Sequence, residues 1–235
     1  MNYEQHYLTP LFEPKSIAII GASETPGSVG ATLARNVIDG GFKGKLFFVN
    51  PRHDTVFGQK AYDNVESIPQ RLDLAVICTK AETVPGIVDA CGRAGTRHAI
   101  VISGGFAEMG TRGASLLRTL LDSARRHNLR LLGPNCLGLM RPGSGVNATF
   151  AHGSANPGTI GLISQSGALC TAILDWALPN NVGFSNVVSL GAESDIDFGE
   201  VLDYMVADPR TENIFLYIEG RSEERRVGKE CRSRW

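Results

Sequence analysis

What most constrains this chain is a repeated unit. From Ser16 onward a short, apolar, often β-branched run breaks into a glycine-bearing turn and then an amphipathic stretch. Strands buried on both faces read as unbroken apolar runs, so this alternation specifies a parallel sheet wrapped by helices. Strands are predicted over 16–22 (SIAIIGA), 45–50 (KLFFVN), 74–79 (LAVICT), 98–103 (HAIVIS) and 129–134 (LRLLGP), with helices over 29–40, 84–95 and 114–128. The first unit is therefore a doubly wound α/β domain, Rossmann-like in kind. Residues 141–158, RPGSGVNATFAHGSANPG, are rich in Gly, Pro, Ser and Asn and lack apolar periodicity, which places a domain boundary there. A second β-α-β-α-β series follows in TIGLIS, GALCTAILDWAL, FSNVVSL, DFGEVLDYMVAD and ENIFLYIE. Three parallel strands make about half of a typical open α/β sheet, so this second domain reads as truncated. The expected division is 1–142, 143–220 and a tail, 221–235.

The tail, RSEERRVGKECRSRW, is unlike the rest, and one back-translation of it resembles the reverse complement of a common sequencing-library adapter. Such a segment is set aside before fold reasoning. The whole chain holds 23 basic and 24 acidic residues; without the tail's six and three, 17 and 21 remain, a formal charge of −4. That balance argues against a nucleic-acid partner. No apolar run approaches the roughly 18 residues of a membrane span, and MNYEQHYLTP lacks the basic and apolar regions of a signal peptide, so a cytoplasmic location is expected. Cys78, Cys91, Cys136 and Cys170 form no C-x-x-C and have no histidine at ligand spacing. Reduced, mostly buried thiols are expected rather than a zinc site or disulfides.

The first predicted strand runs into IIGASETPGSVG, with Gly21, Gly27 and Gly30 spaced G-x5-G-x2-G. A dinucleotide fingerprint wants G-x-G-x-x-G and a carboxylate at the end of the second strand. Here the loop is longer and the second strand ends Asn50-Pro51-Arg52-His53. Arg52 offers a planar, bidentate donor, and the amides from Gly27 to Gly30 open a helix whose positive end favours an anion. The preferred ligand is a phosphorylated ribose, that of CoA with its 3′-phosphate or of NADP; a plain tight turn is the bland alternative. SGGFAEMG (103–110) and GPNCLGLM (133–140) follow the fourth and fifth strands, at the edge where open α/β folds bind ligands. Gly104 and Gly105 permit close approach there, and Asn135 can donate and accept. In ISQSGALCTAIL, Ser166 is not a nucleophile elbow, because positions 164 and 168 are Ser and Ala where G-x-S-x-G needs glycine. Ser166 and Gly167 read as a phosphate cradle at a helix start, or more plainly as an N-cap.

LFEPKSIAIIGAS, FFVNPR, VISGGFAE, RLLGPNCLGL, ISQSGALCTAILDWA, VVSLGAESDIDFGEVLDYMVADP and IFLYIE occur in that order. Over about residues 9 to 219 the chain resembles the NDP-forming acyl-CoA synthetases, the ADP-forming acetate–CoA ligases in particular. It is similar also to the ligase-like N-terminal region of bacterial protein-lysine acetyltransferases, which can act as a sensor. The resemblance implies a CoA-binding Rossmann-like domain followed by a flavodoxin-like, succinyl-CoA-synthetase-like domain. It implies that Ser23, Gly27, Ser28 and Gly30 contact the CoA pyrophosphate and Arg52 the phosphorylated ribose. Asn135 then lies at the active-site edge, and Ser166 and Gly167 steady a phosphate. In such ligases acyl-CoA, phosphate and ADP give acid, CoA and ATP through a phosphohistidine and an ATP-grasp domain or subunit that uses Mg2+. The phosphohistidine motif, S-H-T-G-A or G-H-x-G-A, surrounds none of His6, His53, His98, His127 or His152. By this reading the fragment holds no catalytic residue and is inactive alone, and His152 is a surface-loop residue ahead of the second sheet. Lys80 and Glu82 stand where related chains often carry small residues or proline. An NADP-dependent oxidoreductase is the remaining alternative, though no Tyr-x-x-x-Lys relay is present.

Overall fold

In the computed structural model, which describes residues 5–220, two sheets share one core. A short helix α1 (Thr9–Phe12) leads into β1 (Ser16–Ile20), α2 (Val29–Asp39), β2 (Lys45–Val49), β3 (Thr55–Val56) and β4 (Gln59–Tyr62). The first sheet is completed by β5 (Leu74–Ile77), α3 (Val84–Arg93), β6 (His98–Val101), α4 (Gly110–Arg126) and β7 (Arg130–Leu132), in the order β3-β4-β2-β1-β5-β6-β7. All pairs are parallel except the β3–β4 hairpin. Central β1, buried at all five positions, sets Ile17 opposite Leu46 on one side and Leu74 on the other.

The second sheet comprises β8 (Gly138–Arg141), β9 (Val146–Thr149), β10 (Asn156–Ser164), β11 (Gly183–Ser189) and β12 (Asn213–Tyr217), with α5 (Gly167–Ala177) and α6 (Phe198–Ala207) as crossovers. Its order is β12-β10-β11-β8-β9, and β10, β11 and β12 run parallel as the sequence implies. The stretch 141–158 is more than the linker its composition implies. Gly138–Arg141 pairs antiparallel with β11, Met140 opposite Val187, and Val146–Thr149 closes on it with all four residues buried. The chain thus changes sheets between β7 and β8, somewhat ahead of residue 142.

Ile17, Leu33 and Phe48 of the first sheet's α2 side pack in one cluster with Ile163, Val188, Val201 and Tyr204 of the second. Each such side chain, fully buried, contributes about 1.5–3 kcal/mol. Helices α3 and α4 cover the first sheet's other face, and α5 covers the second sheet's outer face through Cys170 and Leu174. Polar clamps fix the docking. Asn36 of α2 donates to the carbonyls of Thr149 and Ala151, both at 2.8 Å. Arg130 of β7 meets Asp195 at 3.1 Å and Glu200 at 2.9 Å. On edge strand β12, Phe215 is 58% exposed and Leu216 and Tyr217 are also exposed. Among the described residues no helix is long and apolar enough to cross a membrane. The tail read as translated adapter, 221–235, lies outside the described residues.

Candidate phosphate-binding edge

The loop after β1 is closed so tightly that a Cβ on Gly30 would lie 2.1 Å from the Gly21 carbonyl oxygen. Ser28 caps α2, its Oγ accepting the Ala31 N–H at 3.2 Å, and the Ser23 Oγ accepts from the Thr25 N–H at 3.0 Å. The amides of Gly27, Val29 and Gly30 meet no acceptor among the described residues. Gly27 is exposed, with no atom within 4 Å of where a Cβ would stand. Free amides at a helix start, with room beside them, fit an anionic phosphate. On neighbouring β2, Arg52 is exposed in the turn that follows the strand. Its amide donates to the Asn50 Oδ1 at 2.9 Å, and the Asn50 Nδ2 donates to the Ala22 carbonyl at 2.8 Å. Ser23, Gly27, Ser28, Gly30 and Arg52 therefore gather at the carboxyl ends of adjacent strands.

The same edge continues over β5 and β6. Ser103 Oγ donates to the Thr79 carbonyl at 2.6 Å, and a Cβ on Gly105 would lie 2.9 Å from that of Ala81. The Gly105 N–H donates to the Glu108 carboxylate at 2.6 Å. Burial alone would raise the Glu108 pKa, but the hydrogen bonds from the Gly105, Glu108 and Phe106 amides outweigh it and hold the carboxyl below its usual range. Lys80 and Glu82 are exposed on the rim of a cleft of about 1000 Å3 that also borders Gly104 and Arg112.

Asn135, exposed and left-handed at φ 56°, stands beyond β7, four strand steps from Arg52's strand. At about 4.8 Å per step that is roughly 19 Å, so Asn135 does not join the glycine-loop cluster. The structure sets it beside Ser103 and Gly104, its N–H donating to the Ser103 carbonyl at 3.0 Å and its Oδ1 lying 3.1 Å from where a Cβ on Gly104 would stand. A Cβ on Gly191 would lie 2.4 Å from the Asn135 carbonyl oxygen, so only glycine lets the second sheet's loop approach. A Cβ on Gly167 would sit 3.3 Å from the Leu137 Cβ. Ser166 caps α5, its Oγ accepting from the Leu169 N–H at 3.3 Å. Capping leaves its hydroxyl proton available, so the cap and the phosphate cradle are compatible. The composition of the loops gave little signal for three more residues. In the sequence Asn50 marks only the absence of a carboxylate at the end of the second strand. The Gln165 Nε2 donates to Glu193 at 2.7 Å while its Oε1 accepts the Glu219 N–H at 2.7 Å. Glu193, left-handed at φ 48°, also accepts the Phe198 amide at 3.2 Å.

The histidines are dispersed. His53 is exposed beside Arg52, His6 pairs with Asp203 at 3.2 Å, and His127 with Asp89 at 2.9 Å. Burial pushes the His98 pKa down to about 4. His152 is an exposed loop residue as expected, but it lies between β9 and β10, inside the span of the second sheet rather than ahead of it. Burial pushes the Cys78, Cys91 and Cys136 thiols up to about 12 and that of Cys170 up to about 11, which makes them poor nucleophiles. Cys91, Cys136 and Cys170 are buried, and Cys78 is partly so.

Residues 15–142, the span that carries this edge, match the family model described as a CoA binding domain. The chain belongs to the CoA-binding domain family. Behind this CoA-binding domain, residues 157–234 match the succinyl-CoA ligase like flavodoxin domain, a match that runs on into the tail. The chain is 41% identical over 223 residues to the ADP-forming acetate–CoA ligase I of Archaeoglobus fulgidus, covering 95% of this chain and 32% of that protein. It is 39% identical to the alpha subunit of the Pyrococcus furiosus enzyme I, covering 93% of this chain and 48% of that one. A solved structure of dinucleotide forming acetyl-coenzyme A synthetase 1 from Ca. Korarchaeum cryptofilum, in complex with phosphate and ADP, superposes with a TM-score of 0.90 at 38% identity. That match covers 98% of this chain and 49% of the other. The chain thus spans about a third to a half of the relatives it matches.

Proposed function

We propose that this chain is the CoA-binding portion of an ADP-forming acyl-CoA ligase, in which acyl-CoA, phosphate and ADP yield acid, CoA and ATP. One observation carries the reading: the span matching the CoA-binding family holds free helix-start amides beside an exposed arginine where a dinucleotide fold would place a carboxylate. In this reading the amides of Gly27, Val29 and Gly30, with the Ser23 and Ser28 hydroxyls, hold the CoA pyrophosphate. Arg52 holds the 3′-phosphate. The pantetheine arm then runs past Gly104 and Gly105 toward Asn135, a path of roughly 19 Å that suits a long, thiol-ended ligand. At its end, Ser166 and Gly167 present the start of α5 to inorganic or acyl phosphate.

The phosphohistidine, the ATP-grasp domain or subunit and its Mg2+ and ADP/ATP belong, in this proposal, to parts of the ligase other than residues 5–220. A cytoplasmic setting fits such a reaction. The relatives named above are CoA ligases, which favours this reading over an acetyltransferase-linked sensor or an NADP-dependent reductase. Calorimetric titration with CoA and, separately, NADPH tests it. Saturable binding of CoA with none of NADPH is expected, and the reverse would overturn it.

A further inference from the structure

The carboxamide of Asn50 is occupied at both ends. Its Nδ2 donates to the carbonyl of Ala22, the residue just before Ser23, at 2.8 Å, and its Oδ1 accepts the Arg52 amide at 2.9 Å. The backbone on either side is also anchored, since the Asn50 N–H donates to the Tyr62 carbonyl at 2.9 Å and the Gly21 N–H to the Val49 carbonyl at 3.0 Å. One half-buried side chain therefore spans from the glycine loop of β1 to the arginine turn of β2. No other side-chain hydrogen bond among the described residues joins Ala22 or Ser23 to the Arg52 turn.

We infer that Asn50 is a positioning residue that sets the spacing between the two phosphate-holding elements, so that the 3′-phosphate and the pyrophosphate of one ligand are recognised together. The inference rests on the CoA reading above. A carboxylate at this position could not do the same work: it has no donor for the Ala22 carbonyl, and its charge would oppose both phosphates. The amide is neutral and donates at one end while accepting at the other, which is what bridging a carbonyl to an N–H requires. Two hydrogen bonds hold the turn without touching the ligand, leaving the Arg52 guanidinium free for the phosphate.

The test is the ratio of CoA to dephospho-CoA affinity, measured by calorimetry for the wild-type chain, for Asn50→Ala and for Asn50→Asp, with the melting temperature of each recorded. The wild type should prefer CoA roughly 10- to 150-fold, the range of a charge-assisted hydrogen bond to the extra phosphate. In Asn50→Ala the ratio should fall toward one while dephospho-CoA still binds, because the Arg52 turn is no longer held against the loop. Asn50→Asp keeps the acceptor for the Arg52 amide and the shape of the side chain, and should weaken both ligands as well as lower the ratio. A residue needed only for folding would lower the melting temperature and leave the ratio alone. A wild-type ratio retained in both variants overturns the positioning role by itself. A wild type that binds CoA and dephospho-CoA equally overturns the 3′-phosphate role of Arg52 and the positioning role with it, whereas a wild type that binds neither overturns the CoA reading.

Discussion

Gly30 packs against Gly21 so closely that a methyl group on the first would stand 2.1 Å from the carbonyl oxygen of the second. The contact brings the first turn of α2 onto the end of β1, which is where the free amides of Gly27, Val29 and Gly30 are presented together.

Gly30→Ala should therefore force the helix start away from the strand. The strain of such overpacking is about 1–3 kcal/mol, visible as a lower urea midpoint. CoA affinity should drop with it, because the amides lose their common aim. An alanine variant with wild-type midpoint and CoA affinity would show that the loop relaxes without consequence.

Ser166→Ala removes the Oγ that accepts the Leu169 amide. Losing an N-cap costs about 1 kcal/mol of stability. Because Ser166 stands between β10 and α5 of the second sheet and not on the β1 or β2 loops, pyrophosphate and 3′-phosphate recognition should be untouched. Urea unfolding should register the loss while the CoA to dephospho-CoA ratio stays at its wild-type value; a changed ratio would mean the two ends of the edge are not independent.

The alternation of strands and helices was legible because parallel strands such as SIAII, buried on both faces, have no choice but to be apolar throughout. What was not legible depended on partners far along the chain. GLMR and VNAT become strands because β11 and each other supply their hydrogen bonds, and nothing local marks them among glycines and asparagines. The β3–β4 hairpin is too short to show a period. Of the residues the proposed site uses, Gly27, Gly30 and Arg52 are picked out by spacing and residue type. Asn50 is not, since the bond that distinguishes it reaches Ala22, 28 positions away.

Arg141 illustrates the same limit: it sits in a stretch whose composition reads as linker, yet its side chain is only 2% exposed. Its Nη2 lies 2.8 Å from Asp208 and 3.0 Å from Glu13, ion-pair contacts without hydrogen-bond alignment, while Nη1 donates to the Asn186 Oδ1 at 2.7 Å. Arg141→Met leaves the buried Asp208 Oδ2 with the Asn186 amide, at 3.3 Å, in place of a cation. Breaking one side of a buried pair typically costs about 3–5 kcal/mol, so the variant should melt well below wild type. An unchanged melting temperature would show that Arg210, which also pairs with Asp208 at 3.1 Å, suffices alone.

The same carboxylate predicts an acid limb. Burial alone would raise the Asp208 pKa, but the Arg141 charge and the Arg210 hydrogen bonds outweigh it and hold the group below its ordinary value. A depressed folded-state pKa means the stabilisation is complete above the unfolded value of about 3.9 and is lost as pH falls through the folded one. Melting temperature recorded from neutral pH down to below 3.9 should fall at the acid end, and in Asp208→Asn that part of the slope should be missing. An equally steep acid limb in the variant would assign it to other carboxylates.

In the proposed mode CoA lies along the carboxyl edge of the first sheet, with its phosphates at the glycine loop and the Arg52 turn. Amide hydrogen exchange of the chain with and without saturating CoA tests it most directly, because the Gly27, Val29 and Gly30 amides have no acceptor of their own among the described residues. Strong protection is expected over 27–30, with lesser protection around Arg52 and Gly104–Gly105. Bound CoA that leaves 27–30 exchanging at the free rate, or protects only residues at the opposite edge such as Arg71 and Arg97, would contradict it.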